Sequence, residues 1–329
     1  MTVIDVHTHM LSHAWFDLIK QKGKPRYAVK PSKDWPAPLG IYADGAPFMT
    51  PQEGHFDYEL RIKKMNEAKV DLAIVSLTAP NCFWGGPKTS LKAAQLVNDD
   101  MAKAQTTWPD RIRWFCSIPW EHEALALQEL QRATDAGAIG VMVLANINGR
   151  SLTDPRFAKI WKAIDKMGLP VLVHPTAPPG TKQLDIQRFN LIAQVGFMFD
   201  TSLAIARLIY DGFLDTYPNV KLIAAHAGAT LPYLVGRMDI CFDNMVAVPE
   251  KVKERPSELL RRIYYDSVTF TLDALKMAVE VGGTDKMLYG SDYPHNIGDM
   301  RGCLSRVDAL PYDQRKAARG GNAMRIFKI

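Results

Sequence analysis

The architecture turns on VIDVHTHM, residues 3–10. A short apolar run, rich in β-branched residues, ends in two histidines one residue apart. Alternate side chains of a strand share a face. His7 and His9 therefore point the same way, just past the end of the first strand.

Seven more runs of the same kind follow: DLAIVSL (71–77), IRWFCSI (112–118), IGVMVL (139–144), PVLVH (170–174), VKLIAAH (220–226), IYYDSV (263–268) and KMLYGS (286–291). Between them lie amphipathic stretches such as 122–135, 155–167, 229–243 and 271–280. Continuous apolar strands alternating with helices predict a parallel sheet covered on both faces. Eight such units fit an α/β fold, a (β/α)8 TIM barrel of one domain over 1–329. A doubly wound sheet is the alternative, but no G-x-G-x-x-G follows VIDV. One connection stands out. Residues 11–55 carry Pro25, Pro31, Pro36, Pro38, Pro47 and Pro51, and the basic stretch KQKGKPRYAVKPSK (20–33). We expect a long insertion after strand one, either a solvated surface or a cationic lid over a site for an acid.

Composition narrows the function. The 329 residues are 47% hydrophobic, enough for a large core, and the net charge of +5 suits anionic small molecules better than nucleic acid. No window of about 18 apolar residues is apparent, so no membrane partner is expected. The first strand begins at Val3, which leaves no room for a signal peptide and predicts a cytoplasmic protein. Cys82, Cys116, Cys241 and Cys303 form no C-x-x-C pair and read as reduced, structural thiols.

Barrel enzymes build their sites at the C-terminal ends of strands. Strand five ends in VLVHP with His174, strand six in IAAHAG with His226, and strand eight in YGSDYPH with Asp292. Four of the eight histidines and one carboxylate thus converge at one mouth. Burying that many polar heads is costly, and a bound divalent cation removes the cost. Imidazole and carboxylate suit zinc, manganese or iron.

These motifs resemble the amidohydrolase superfamily: H-x-H after strand one, His after strand five, H-A-G after strand six and G-S-D-Y-P after strand eight. The resemblance covers essentially the whole chain. It is nearest the decarboxylase branch, which includes the α-amino-β-carboxymuconate-ε-semialdehyde and γ-resorcylate decarboxylases. Similar stretches are HFDYELRIKKMNEAKVD (55–71), HPTAPPG (174–180), HAGATLPYLVGRMD (226–239) and GSDYPHNIG (290–298). The resemblance implies a metal-dependent, non-oxidative carboxy-lyase acting on a small unsaturated or aromatic (hydroxy)carboxylic acid. Hydrolysis of a lactone or amide, or hydration of a double bond, is the alternative on this scaffold.

By the same resemblance, His7, His9, His174 and Asp292 are the metal ligands and His226 is the catalytic histidine beside the metal; either Asp292 or His226 can supply the proton. Binuclear members use a bridging lysine at the end of strand four. That strand here reads IGVMVLAN, so one divalent ion is expected, zinc first and manganese second. Arg237 matches an arginine that crosses a homodimer (or dimer-of-dimers) interface to hold a substrate carboxylate. A second carboxylate-binding arginine of the family aligns with Met49. Loop two, TAPNCFWGG (78–86), offers Asn81, Phe83 and Trp84 either to stack on a flat substrate or to cap the barrel. His13 and His295 are further candidates for the mouth, while Arg207, Trp120 and Trp161 read as packing or surface residues.

Overall fold

The run that opens the chain forms β1 (Ile4–His9), and all six of its residues are buried. In this computed structural model, residues 1–32, 38–245 and 252–329 are described. Three strands follow β1: β2 (Tyr27–Pro31), β3 (Leu39–Ala43) and β4 (Ala46–Met49). Then come β5 (Leu72–Ser76), β6 (Ile112–Cys116) and β7 (Gly140–Leu144). A small hairpin, β8 (Asn146–Ile147) and β9 (Arg150–Ser151), precedes β10 (Pro170–His174), β11 (Lys221–Ala224) and β12 (Tyr264–Tyr265).

Seven strands form one parallel sheet in the order β1-β5-β6-β7-β10-β11-β12. Both faces are covered, as the unbroken burial of β7 and β10 requires. The eighth expected strand is instead an extended segment with isolated bridges, Tyr265 to Met287 and Thr8 to Tyr293. It still bonds to both edges. Leu288 N–H donates to the Tyr265 carbonyl (2.8 Å), and Val6 N–H donates to that of Tyr289 (2.9 Å). Gly290 explains part of the irregularity: a Cβ there would lie 2.8 Å from the His7 Cβ, so only glycine lets this segment approach β1.

The helices follow the apolar periodicity. Ala158–Met167 turns Ile160, Trp161 and Ile164 inward and stops at Gly168, whose φ of 64° ends the helix. Trp120 packs on Trp161 with ring centroids 4.9 Å apart, so both are core residues.

Two expectations are corrected. Residues 11–55 are not an open loop in their described part. They hold a helix, His13–Lys22, and the antiparallel sheet β2-β3-β4, whose Tyr27, Ile41 and Met49 are buried. Lys33 and Pro36 of the expected lid lie outside the described residues. The second correction concerns Arg188–Tyr210. It has 23 residues, and its most apolar 18-residue window, with a mean hydropathy of 1.4, is long and apolar enough for a membrane crossing by length and composition. Half of that window is buried in the fold.

Candidate metal centre and active site

Five side chains meet where the strands end. His7 and His9 leave β1 on one face, His174 ends β10, His226 follows β11 and Asp292 lies in the closing segment. The Asp292 Oδ1 is 3.3 Å from His7 Nε2 and 3.2 Å from His9 Nε2. Its Oδ2 is 3.6 Å from His226 Nε2. The His174 ring lies 4.7 Å from that of His9 and 5.1 Å from that of His7. Ligand atoms of His7, His174, His226 and Asp292 all fall within 4.8 Å of one another, as do those of His9, Asp292 and His295. All five are buried.

Three of the four imidazoles are aimed by a bond at the other nitrogen, while His226 Nδ1 is buried without a partner. His7 Nδ1 meets the Asp266 carboxylate at 2.5 Å, His9 Nδ1 meets Ser76 Oγ at 3.1 Å, and His174 Nδ1 meets the Pro175 carbonyl at 2.8 Å. Only a protonated Nδ1 can donate to a carbonyl. His174 therefore presents a bare Nε2 lone pair, and that atom is buried without a partner. His7 Nε2 is also without a hydrogen-bond partner. A cluster of aimed, partnerless nitrogens beside a carboxylate is the donor set a divalent cation takes.

The electrostatics keep His9 and His174 neutral and put a proton on His7, which a bound cation would have to displace. Burial and the neighbouring imidazoles push His174 well below the usual histidine range, which keeps it neutral. Burial pushes His9 down to about 3. Burial opposes a charge on His7 too, but the Asp266 and Asp292 carboxylates outweigh it and raise its pKa to about 10. Burial disfavours the Asp292 carboxylate, yet the imidazoles of His226, His7 and His9 around it hold its pKa well below the usual range. The site thus holds two ionised carboxylates, Asp266 and Asp292, among imidazole nitrogens.

The cluster forms the floor of a cavity of about 930 Å3, where His174, His226, Asp292 and His295 line one end. Most of its wall is apolar, including Phe48, Met49, Phe197 and Met198. A family model for amidohydrolases matches residues 4–329. The chain belongs to the amidohydrolase family.

Similar amidohydrolases carry informative names. A 2-amino-3-carboxymuconate-6-semialdehyde decarboxylase from Dictyostelium discoideum is 29% identical, over 99% of this chain and 91% of that one. A gamma-resorcylate decarboxylase from Rhizobium radiobacter is 27% identical, over 82% of this chain and 87% of that one. Among solved structures, a dihydroxybenzoic acid decarboxylase from Polaromonas, with bound manganese and 2-nitroresorcinol, superposes with a TM-score of 0.81. It is 22% identical and is matched over 99% of this chain and 97% of that one.

Other expected residues of this amidohydrolase sit differently. Asn81 and Phe83 are buried and do not line the cavity. Asn81 adopts φ of 59°, and its amide is used up by the Cys82 N–H (2.9 Å) and the Met142 sulfur (3.1 Å). Its carbonyl accepts from both Trp15 and Trp84. Asn81 is therefore a loop anchor, and Phe83 is part of the packing below the mouth. Arg237 is exposed on the helix Leu231–Asn244 and has no ion-pair partner among the described residues. His13 is exposed and stacks on Phe56, 4.5 Å between ring centroids. His295 does reach the cavity and meets Thr78 Oγ1 at 3.0 Å. Arg207 is exposed. The described basic residues of 20–33 do not line the cavity; the adjoining Pro47, Phe48, Met49 and Thr50 do.

Three supporting groups went unread in the sequence. Asp266 receives His7 and also accepts N–H bonds from His226 (2.9 Å), Ala227 (3.0 Å) and Val268 (2.9 Å). It thereby clamps a turn in which His226 and Ala227 hold φ near 56° and 55°, uncommon for non-glycine residues. Arg61 is fully buried, donates to Thr8 Oγ1 (2.6 Å) and the His9 carbonyl, and lies over the Tyr293 ring. Asp200 accepts the Thr176 N–H (2.9 Å) and so fixes the turn after His174. For Asp266 the signal was present: it interrupts the seventh strand-like run as a lone carboxylate, directly after β12.

Proposed function

We propose that the chain is a metal-dependent, non-oxidative decarboxylase of a small aromatic or unsaturated hydroxycarboxylic acid. The observation that carries this reading is the floor of the cavity: bare imidazole nitrogens around Asp292, beneath an apolar chamber. In this reading His7, His9, His174 and Asp292 hold one divalent cation, zinc first and manganese next by donor type. Bound there, the ion supplies Lewis acidity to the substrate's carboxylate and adjacent hydroxyl oxygens.

The chain's own residues do the rest. Decarboxylation breaks one carbon–carbon bond and leaves its electron pair on the ring carbon, which takes up a proton. Asp292 and His226 face each other at 3.6 Å beside the cavity and are the pair that delivers it. The apolar wall excludes water from the ring. No electrons are gained or lost, so no redox cofactor takes part. Hydrolysis or hydration on this scaffold would add water without releasing CO2. Manometric CO2 release from a panel of hydroxybenzoates distinguishes them: CO2 with the matching phenol supports the decarboxylase, and water addition without CO2 rejects it.

One ion per chain is the expected stoichiometry. β7 ends at Leu144 and is followed by Ala145 and Asn146, with no lysine to bridge a second metal, and Asn146 is bonded to Asp200. Elemental analysis after removal of loosely held ions should give about one equivalent, as one set of ligands implies. Two tightly held equivalents would contradict the assignment.

Arg237 is assigned to the neighbouring subunit's site in a homodimer. Tyr233, Arg237 and Ile240 share one exposed face of their helix, an apolar surface around a cation that a second copy can cover. The arginine would hold the substrate carboxylate through a charge-assisted pair. Mixing inactive Arg237→Ala chains with inactive His226→Ala chains should restore activity, because one site of each heterodimer then holds both groups. No recovery, with subunit exchange confirmed, rejects donation across the interface. The insertion 11–55 would serve as a lid, since Pro47, Phe48 and Met49 of β4, with Thr50, border the cavity.

A further inference from the structure

The cavity is far larger than its reactive floor. Its volume of about 930 Å3 lies near the top of the roughly 300–1,000 Å3 range of small-molecule sites. A bare one-ring acid would leave much of the wall unfilled. That wall is built from Phe48, Met49, Phe197, Met198, Met277 and Ile297, and methionine side chains repack readily around apolar shapes. None of the described lining residues is lysine or arginine, while Asp273 adds a negative charge at the exposed start of the helix Leu272–Gly282. A second carboxylate placed against this wall would lose its hydration without gaining a partner.

We infer that the site selects aromatic hydroxy acids with a single carboxylate and an apolar substituent of propyl size or larger, and rejects dicarboxylates. The inference rests on the decarboxylase reading for the placement of the reacting carboxylate on the floor. There the cation that His7, His9, His174 and Asp292 would hold is its partner. The selectivity itself comes from this chain's wall.

The test measures binding and turnover separately on the metal-loaded protein. For binding, 2-nitrophenols stand in for 2-hydroxybenzoates, because the nitro group cannot leave as CO2. Calorimetry compares hydrogen, propyl and carboxylate at ring positions 4, 5 and 6. At one position or more, propyl should bind about tenfold tighter than hydrogen, the order expected for burying a few methylenes. Carboxylate should bind at least about tenfold more weakly than hydrogen at every position, for want of a cation. Met49→Arg places a cation in the wall and should reverse the carboxylate penalty. No propyl gain at any position, or carboxylate binding as well as hydrogen in the unmutated protein, overturns the inference. CO2 release from the matching hydroxybenzoates reads the other layer. Selective binding with no CO2 from any acid removes the decarboxylase reading and keeps the ligand class. CO2 release with no binding preference does the opposite.

Discussion

His226→Ala should lower turnover by about 100- to 10,000-fold, the usual contribution of a positioned acid–base group, and leave most of the metal bound. His174→Ala should empty the site. The difference lies in what each nitrogen faces. His174 Nε2 is bare and its ring is locked by the Pro175 carbonyl, so it is built to be a ligand. His226 Nε2 faces the outer oxygen of Asp292 at 3.6 Å, beside the cavity, where a proton is needed. Metal content and kcat measured on both variants separate the two roles. If the two lose metal and activity alike, the division between holding and proton transfer is wrong.

Asp266→Ala is the second large expected loss. The carboxylate orients His7 and clamps the His226 turn, so its removal acts on metal holding and on catalysis together. Losing the group that orients a ligating histidine costs about 10- to 100-fold in metal affinity. The buried N–H groups of His226, Ala227 and Val268 also lose their acceptor, at about 1–3 kcal/mol for each left unsatisfied. Asp266→Asn keeps an acceptor without the charge and should fall between. Competition with a chromophoric chelator reads the affinity, and thermal unfolding reads the stability. Unchanged metal affinity in Asp266→Ala would show that His7 needs no such support.

The strand runs and the residues that end them were legible because burial leaves a period in the sequence. A strand covered on both faces must be apolar throughout, and a polar head at its end stands out against that background. His7, His9, His174, His226 and Asp292 were all found on that ground. Asp266 obeys the same rule but sits in a run, IYYDSV, whose tyrosines blur the apolar signal. Loop residues were read less well, because their direction depends on backbone angles that composition does not encode. Asn81 turns inward through a left-handed backbone, and its side chain is spent on Cys82 and Met142. The sheet β2-β3-β4 was hidden by its prolines. Pro31 and Pro47 lie in strands, yet Tyr27, Ile41 and Met49 still supply the buried side. The eighth strand was placed correctly in the ring but overrated as a regular strand, since Gly290 and the φ of 57° at Asp292 break its ladder.

This histidine–carboxylate floor, once it holds a divalent ion, should remove CO2 from an aromatic hydroxy acid. The most direct measurement follows CO2 and the matching phenol together. The same protein is assayed stripped by chelator, then reloaded with zinc or with manganese, under nitrogen. The expected result is one CO2 per phenol, no need for oxygen, loss of activity on stripping and recovery on reloading. Equal CO2 release by the stripped protein, or water addition without CO2 by the reloaded one, would contradict it.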